Sequence, residues 1–300
     1  MSLHVAVSPL PAAVPAALLP SEPPSASFVS IRGRRLAFSE LINPRVFETD
    51  YQLQLTQQTR DAKPFPHFVV DGMFNPDLLR LVAEEFGGAG EGGWRVVQTK
   101  HELTHRSTPG ARLGPASKLY FSLVNSPAFL ELLSAVTGVE ELITDPKLYG
   151  GGLHETRNGG RFGIHRDFNR HPCTGLDNEM VLITYLNEDW DRAWGGALEL
   201  WDGEAKNCVR EVWPDFGRTI LMRHCDVSYH GHPHPLQAPE GRTRRSVACY
   251  YYSYSNARRE RERRNTSLFL YSDPMERVKS AAKLATPPII WNALKRLAGS

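Results

Sequence analysis

The sequence has few cysteines, no long apolar run and almost no net charge, and each shortage excludes a class of protein. Its four cysteines form no CxxC pair, which argues against a disulfide framework and favours a reducing cytoplasm. No apolar run approaches the ~20 residues needed to cross a bilayer, so we predict no transmembrane segment. Lysine plus arginine number 35 and aspartate plus glutamate 33. The net charge of +2 gives no reason to expect a nucleic-acid partner.

The two ends of the chain differ in composition from its middle. Residues 1–27 are rich in alanine, proline and serine, begin without a basic segment, and have prolines in each apolar run. This composition predicts a disordered leader and not a secretory signal. The folded domain is predicted to cover residues 28–255, with its core in 145–255. Residues 256–300 begin with the charge run NARRERERRNT and are predicted to form a charged linker and a C-terminal helical tail.

Helical patterns come before strand patterns along the chain. A short strand and a helix are predicted between Pro64 and Phe86, with Asn75 as the helix N-cap and Pro76 at the first helical position. A second helix is predicted over Pro127 to Val136. After Leu148, β-type runs such as LITYLN, GALELWD, RTILMR and SVACYYYS alternate with turn residues. This order indicates an α+β fold, in which helices brace antiparallel strands arranged as a barrel or a double-sheet roll.

The segment GIHRDFN contains the strongest chemical motif. His165 and Asp167 are two residues apart, so on a strand their side chains lie on one face and can reach one metal ion. The segment SYHGHPHP offers His230, His232 and His234 as candidates for a third ligand. Two histidines and one carboxylate that leave open positions are typical of non-haem iron(II) oxygenases. Zinc more often takes a tetrahedral set with one open position.

A second motif, RRS, lies in the apparent buried strand GRTRRSVACYYYS. On a strand, Arg244 and Ser246 share a face and Arg245 lies on the other. An arginine inside a β core needs an anionic partner, and guanidinium binds a carboxylate as a planar fork. The partner is either a bound carboxylate or a carboxylate of the protein itself. Which of the two arginines faces the core stays open at this stage.

The segment from Tyr149 to Ser253 resembles the 2-oxoglutarate/Fe(II)-dependent dioxygenase superfamily, in its prolyl 4-hydroxylase-like branch. Its HxD pair, the distal histidine of SYHGH and the RxS motif occur in the order typical of that family. The resemblance implies a double-stranded β-helix (jelly roll) core, Fe(2+), 2-oxoglutarate as co-substrate, O2, and L-ascorbate as a further candidate cofactor. The family's halogenases lack the carboxylate ligand, so Asp167 favours hydroxylation of an unactivated C–H bond with release of succinate and CO2.

The resemblance also assigns roles to individual residues. The catalytic metal ligands of the family correspond to His165, Asp167 and His230. The residues that bind the co-substrate correspond to Arg244, Ser246 and Tyr149. The nearby His154 is expected on a loop at the mouth of the pocket.

Two other functions are compatible with the metal motif. One is a zinc-dependent hydrolase or lyase, and the other is a non-catalytic metal-binding β-roll. The RxS motif argues against both, because neither function needs a clamp for a dicarboxylate. The primary substrate is predicted only as a small molecule or a protein side chain.

Overall fold

The structure is a computed structural model that describes residues 27–86, 93–254 and 267–270. Nearly all of the predicted leader, and most of the predicted linker and tail, lie outside these ranges. Within them, the α-helices are α1 (Thr49–Asp61), α2 (Pro76–Ala83), α3 (Pro115–Val124) and α4 (Pro127–Thr137). Short 3-10 helices span Phe38–Glu40, Pro44–Phe47 and Arg192–Trp194.

Fifteen strands are present in the described ranges, and all of their pairings are antiparallel. In chain order they are β1 (Phe28–Ile31), β2 (Arg34–Ala37), β3 (His67–Asp71), β4 (Trp94–Gln98), β5 (Glu102–Ser107), β6 (Ile143–Thr144), β7 (Gly152–Thr156), β8 (Arg161–Arg166), β9 (Asp177–Tyr185), β10 (Leu198–Trp201), β11 (Cys208–Val212), β12 (Arg218–Arg223), β13 (His230–His232), β14 (Arg244–Ser253) and β15 (Leu268–Phe269).

The main sheet folds back on itself at β5. Its strand order is β11-β10-β13-β8-β5-β7-β14-β9-β12-β3, with β15 added to β8, β4 to β5 and β6 to β14. The first residues of β5 pair with β8, whereas its later residues pair with β7. This strand therefore joins a smaller half, β11-β10-β13-β8, to a larger half, β7-β14-β9-β12-β3. The predicted α+β fold with a jelly-roll core is confirmed.

Alternation along β14 separates the two sides of the larger half. Val247 and Tyr251 pack into the apolar cluster that contains the helices. Ala248 and Tyr250 lie on the other side, with side chains of the smaller half such as Leu198. Because successive side chains of a strand point to opposite faces, one strand serves both the helical layer and the interior of the roll. The interior is where the candidate site lies.

The helices form where the sequence supplies their caps. The Asn75 side chain accepts hydrogen bonds from the backbone N–H groups of Asp77 and Leu78, and Pro76 occupies the first turn of α2, as predicted. The predicted second helix corresponds to α4, which also begins at its proline. No single helix in the described ranges is long and apolar enough to span a membrane. The α3–α4 pair meets that test only jointly, with a 48° bend between the helices.

Candidate active site

Strand pairing brings the three predicted metal ligands together. His165 lies near the end of β8, Asp167 follows that strand, and His230 opens β13 directly opposite His165. Their ligand atoms all lie within 4.8 Å of one another. The Nε2 atom of His165 is 3.3 Å from Oδ1 of Asp167, and Nε2 of His230 is 3.7 Å from Oδ2. All three residues are buried, so this is an enclosed cluster of ligand atoms.

Backbone carbonyls fix the orientation of both imidazoles. The Nδ1–H of His165 donates to the carbonyl of Gly163 at 2.8 Å, and that of His230 donates to Ser228 at 2.9 Å. Because a carbonyl can only accept, the hydrogen stays on Nδ1 and each Nε2 keeps a free lone pair. Nε2 of His165 is buried with no hydrogen-bond partner among the described residues. Burial, together with the adjacent His165, lowers the pKa of His230 to about 4, which keeps this ring neutral at pH 7.

The carboxylate of Asp167 is held from its other side by Tyr250. The Tyr250 hydroxyl donates to Oδ2 of Asp167 at 3.0 Å, and Nε2 of His224 lies 3.2 Å from the same oxygen. Burial by itself would raise the pKa of Asp167, but the surrounding histidines outweigh it and hold this pKa well below its usual range. Burial and the charge of Asp167 raise the pKa of Tyr250 well above its usual value, so its hydroxyl stays protonated as a donor.

This donor set fits a divalent metal ion with open coordination positions. It provides two imidazole nitrogens with free lone pairs and one ionised carboxylate, the combination used by non-haem iron(II) sites. The other two candidate histidines do not belong to the cluster of ligand atoms. The Nε2 atom of His232 is 3.5 Å from the Thr156 hydroxyl, and the side chain of His234 is 82% exposed. His230 is therefore the histidine of SYHGHPHP that joins His165 and Asp167.

The far part of the same cavity contains Arg244 and Ser246. The Arg244 guanidinium donates to the carbonyl of Gly196 at 2.7 Å and to the Tyr185 hydroxyl at 3.4 Å. Gly196 has a φ of +80°, and a Cβ there would lie 3.1 Å from Cδ of Arg244, so glycine makes this close approach possible. Burial lowers the pKa of Arg244, although an arginine keeps its charge in proteins. No carboxylate in the described ranges forms an ion pair with it.

Arg245 points away from this cavity, toward the helices. Its Nε atom lies 3.4 Å from Oε1 of Glu155 and 3.0 Å from the Thr243 hydroxyl. Its guanidinium also lies over the Phe86 ring, 5.4 Å from the centroid. Of the two adjacent arginines, Arg244 is thus the one that reaches the cavity and Arg245 is the one with a protein carboxylate as partner.

Tyr149 is not among the residues that line the cavity. Its ring packs against Phe168 and His171, and its backbone N–H donates to Asp145. Its role in binding the co-substrate therefore stays a prediction. The hydroxyl that lies next to Arg244 belongs to Tyr185.

Strand β5 contributes cavity residues that the sequence analysis did not single out, and β7 contributes a histidine that it placed on a loop. Thr104 and Arg106 come from β5, and His154 comes from β7. The expectation that His154 lies on a loop was wrong, because it is inside a paired strand and opposite Arg106. Burial, together with the charge of Arg106, lowers the pKa of His154 to about 3. The spacing in ELTHRS puts Thr104 and Arg106 on one face of the strand, but both faces carry polar residues, so the sequence did not show which face is inside.

Residues 151–252 match the family model of the 2OG-Fe(II) oxygenase superfamily. This segment extends from the residue before β7 almost to the end of β14 and contains the three clustered ligands and Arg244. The chain therefore carries a 2OG-Fe(II) oxygenase domain, as the resemblance predicted. The matched domain is that of an Fe(II)- and 2-oxoglutarate-dependent dioxygenase, a class of enzyme that uses O2 and 2-oxoglutarate to oxidise a further substrate.

Several solved structures are similar to this chain at low sequence identity. A Pseudomonas putida prolyl-4-hydroxylase is 15% identical, with a TM-score of 0.48 and coverage of 68% of this chain and 100% of its own. A prolyl 4-hydroxylase of Phytophthora capsici is 17% identical, with a TM-score of 0.49 and coverages of 79% and 72%. HygX of Streptomyces hygroscopicus, solved with nickel, 2-oxoglutarate and hygromycin B, is 15% identical, with a TM-score of 0.45 and coverages of 68% and 87%. No curated protein sequence matches the chain.

Proposed function

We propose that this chain is a hydroxylase that holds Fe(II) through His165, Asp167 and His230 and binds the distal carboxylate of 2-oxoglutarate through Arg244 and Ser246. The observation that carries the proposal is the buried guanidinium of Arg244, which has no carboxylate partner in the described ranges and shares one cavity with the clustered ligands. A buried charge without a partner is costly, so this position favours a bound anion.

The residues of the chain then have separable tasks. The carbonyls of Gly163 and Ser228 and the hydroxyl of Tyr250 orient the three ligand side chains. Apolar side chains, including Val181 and Leu198, line part of the same cavity and keep that part of its wall from binding water. When bound, iron and 2-oxoglutarate supply the oxidising chemistry, in which succinate and CO2 are released.

Three finer assignments belong to the same proposal. The carboxylate of Asp167 favours hydroxylation, because the halogenases of this superfamily lack that ligand. The order of the HRD, SYHGH and RRS motifs supports the prolyl 4-hydroxylase-like branch, and with it L-ascorbate as a cofactor. Four free cysteines support a cytoplasmic location. A zinc hydrolase or a non-catalytic roll is less favoured, because neither function needs a guanidinium without a protein carboxylate in the cavity of the metal ligands.

The proposal is tested with two histidine variants of the same segment. We would purify the protein without oxygen, add Fe(II) and 2-oxoglutarate, and measure succinate formation and O2 uptake. His230→Ala should abolish both, whereas His234→Ala, a change of the same type at an exposed residue, should leave both unchanged.

Uncoupled turnover can be slow when no substrate is present, so binding provides a second measurement. Calorimetry should detect 2-oxoglutarate binding to protein loaded with Ni(II), which does not support turnover. If the loaded wild-type protein neither forms succinate nor binds 2-oxoglutarate, the proposed assignment of the cavity is wrong.

A further inference from the structure

A second arginine, Arg106, enters the cavity from β5 and has no task in the proposed binding of iron and 2-oxoglutarate. Only 13% of its side chain is exposed. Its guanidinium lies over the ring of Phe162, 5.5 Å from the centroid, and that ring stacks on His165 at a centroid distance of 4.0 Å. Arg106 is therefore at the metal end of the cavity, whereas Arg244 is at the end formed by Tyr185.

The hydrogen bonding of Arg106 is incomplete. Its Nη2 group pairs with the carboxylate of Glu102 and lies 3.4 Å from the Thr104 hydroxyl. Its Nε–H is buried and has no hydrogen-bond partner among the described residues. A guanidinium carries five N–H donors in a fixed plane, and the Nε–H of this one still lacks an acceptor. A carboxylate is an acceptor well suited to a guanidinium N–H.

The co-substrate does not supply that acceptor under the proposed function. One carboxylate of 2-oxoglutarate is assigned to Arg244, and the other belongs with the metal. The remaining reactant is the primary substrate, which must approach the metal end of the cavity. Arg106 is therefore placed to bind an anionic group of that substrate.

The charges around the site restrict the substrate further. Iron(II), Arg106 and Arg244 together balance Asp167, Glu102 and the dianion of 2-oxoglutarate. A substrate with an excess charge would therefore be buried without compensation. A zwitterion offers a carboxylate and adds no net charge.

We infer that the primary substrate is a free amino acid whose carboxylate is bound by Arg106. The inference rests on the proposed function. One C–H bond of the amino acid becomes C–OH, and 2-oxoglutarate loses CO2 to give succinate. The hydroxylated amino acid and succinate each receive one oxygen atom of O2. A residue within a peptide lacks the free carboxylate, and a phosphate ester brings excess negative charge.

The test compares each common L-amino acid with its α-carboxamide, which keeps the side chain and removes the carboxylate. Binding is measured by calorimetry on protein loaded with Ni(II) and 2-oxoglutarate, and substrate-dependent succinate release is measured with Fe(II). At least one free amino acid should bind, and its amide should bind at least about tenfold more weakly, because the amide leaves the charged donors unpaired.

Variants then assign this preference to one residue. In Arg106→Gln the acid and its amide should bind equally. If Arg106→Gln fails to fold because Glu102 is left unpaired, the double variant Glu102→Gln/Arg106→Gln removes both charges of the pair. Arg60→Gln, which makes the same change at an exposed residue of α1, should keep the wild-type preference.

Two kinds of failure can be told apart. If 2-oxoglutarate binds but no amino acid does, or if acids and amides bind alike in the wild type, the substrate class is wrong while the proposed function stands. The inference is also overturned if the Arg106 variants keep the preference for the free amino acid over its amide. It is overturned as well if phosphate esters of matched size bind more tightly than the amino acids do. If 2-oxoglutarate itself does not bind, the proposed function and the inference fail together.

Discussion

Separate replacement of Arg244 and Arg245 by glutamine would establish which of two adjacent arginines binds 2-oxoglutarate. The two residues follow one another on β14 and point to opposite faces of the sheet. Arg244 lies in the cavity, buried and without an ion-pair partner in the described part of the chain. Arg245 has Glu155 as a partner on the helical side. The two substitutions are chemically identical and differ only in the face that they alter.

The expected magnitudes follow from these environments. Removal of one member of a buried, hydrogen-bonded charge pair costs about 2–5 kcal/mol of binding free energy. Since about 1.4 kcal/mol corresponds to a tenfold change, Arg244→Gln should raise the Kd of 2-oxoglutarate at least about 30-fold. The ion pair of Arg245 is one-third exposed at the arginine, so its loss should cost about 1 kcal/mol of folding stability or less.

Calorimetric titration of 2-oxoglutarate into the Ni(II)-loaded variants measures Kd, and scanning calorimetry measures Tm. We expect Arg244→Gln to change Kd strongly, and Arg245→Gln to lower Tm slightly with an unchanged Kd. If Arg245→Gln weakens binding as much as Arg244→Gln does, or if Arg244→Gln changes Kd by less than about threefold, the assignment of Arg244 is refuted.

Three further predictions concern other parts of the molecule. Tyr250→Phe removes the hydrogen bond to Asp167 and should weaken iron binding about tenfold, as measured by competition with a colorimetric chelator; an unchanged affinity would contradict the role of the hydroxyl. Burial lowers the pKa of His67 from 6.5 to about 4. The stabilisation of the fold by the neutral ring is therefore complete above pH 6.5 and is lost as the pH falls toward 4. The free energy of unfolding decreases over this range by about 3 kcal/mol at most. Urea unfolding across this pH range should therefore be less pH-dependent in His67→Gln than in the wild type. Glu85→Ala removes the carboxylate that accepts two backbone N–H groups at the start of α3 and should destabilise the fold by about 2–4 kcal/mol, whereas Glu84→Ala, at an exposed neighbour, should change it by less than about 1 kcal/mol.

The sequence was most informative where residue spacing determines direction. Side chains two residues apart on a strand lie on the same face, and this rule predicted that His165 and Asp167 share a face. The same rule predicted a shared face for Arg244 and Ser246. Both pairs line one cavity in the structure. The helix signals at Asn75 and Pro76 were equally direct, because side-chain capping is a local interaction.

Other features depended on tertiary contacts that spacing does not encode. The helix α1 buries only Leu55 and Thr59, so its polar sequence carried little helical pattern. The hydroxyl beside Arg244 belongs to Tyr185, which approaches it because β9 pairs with β14. Arg106 was missed for a similar reason, since β5 has polar residues on both faces and acquires its inner face only when it joins the two halves of the roll.

The strand β15 lies beyond the segment that matches the superfamily, yet it contacts a metal ligand. Leu268 and Phe269 pair with Arg166 and His165, and the Phe269 ring lies 5.4 Å from that of His165. An expression clone that ends where the recognisable domain ends would therefore leave one edge of β8, and one side of the His165 ring, open to water. Such a truncated protein could retain all of its motif residues and still lose its metal, so the practical boundary of this oxygenase lies after Phe269.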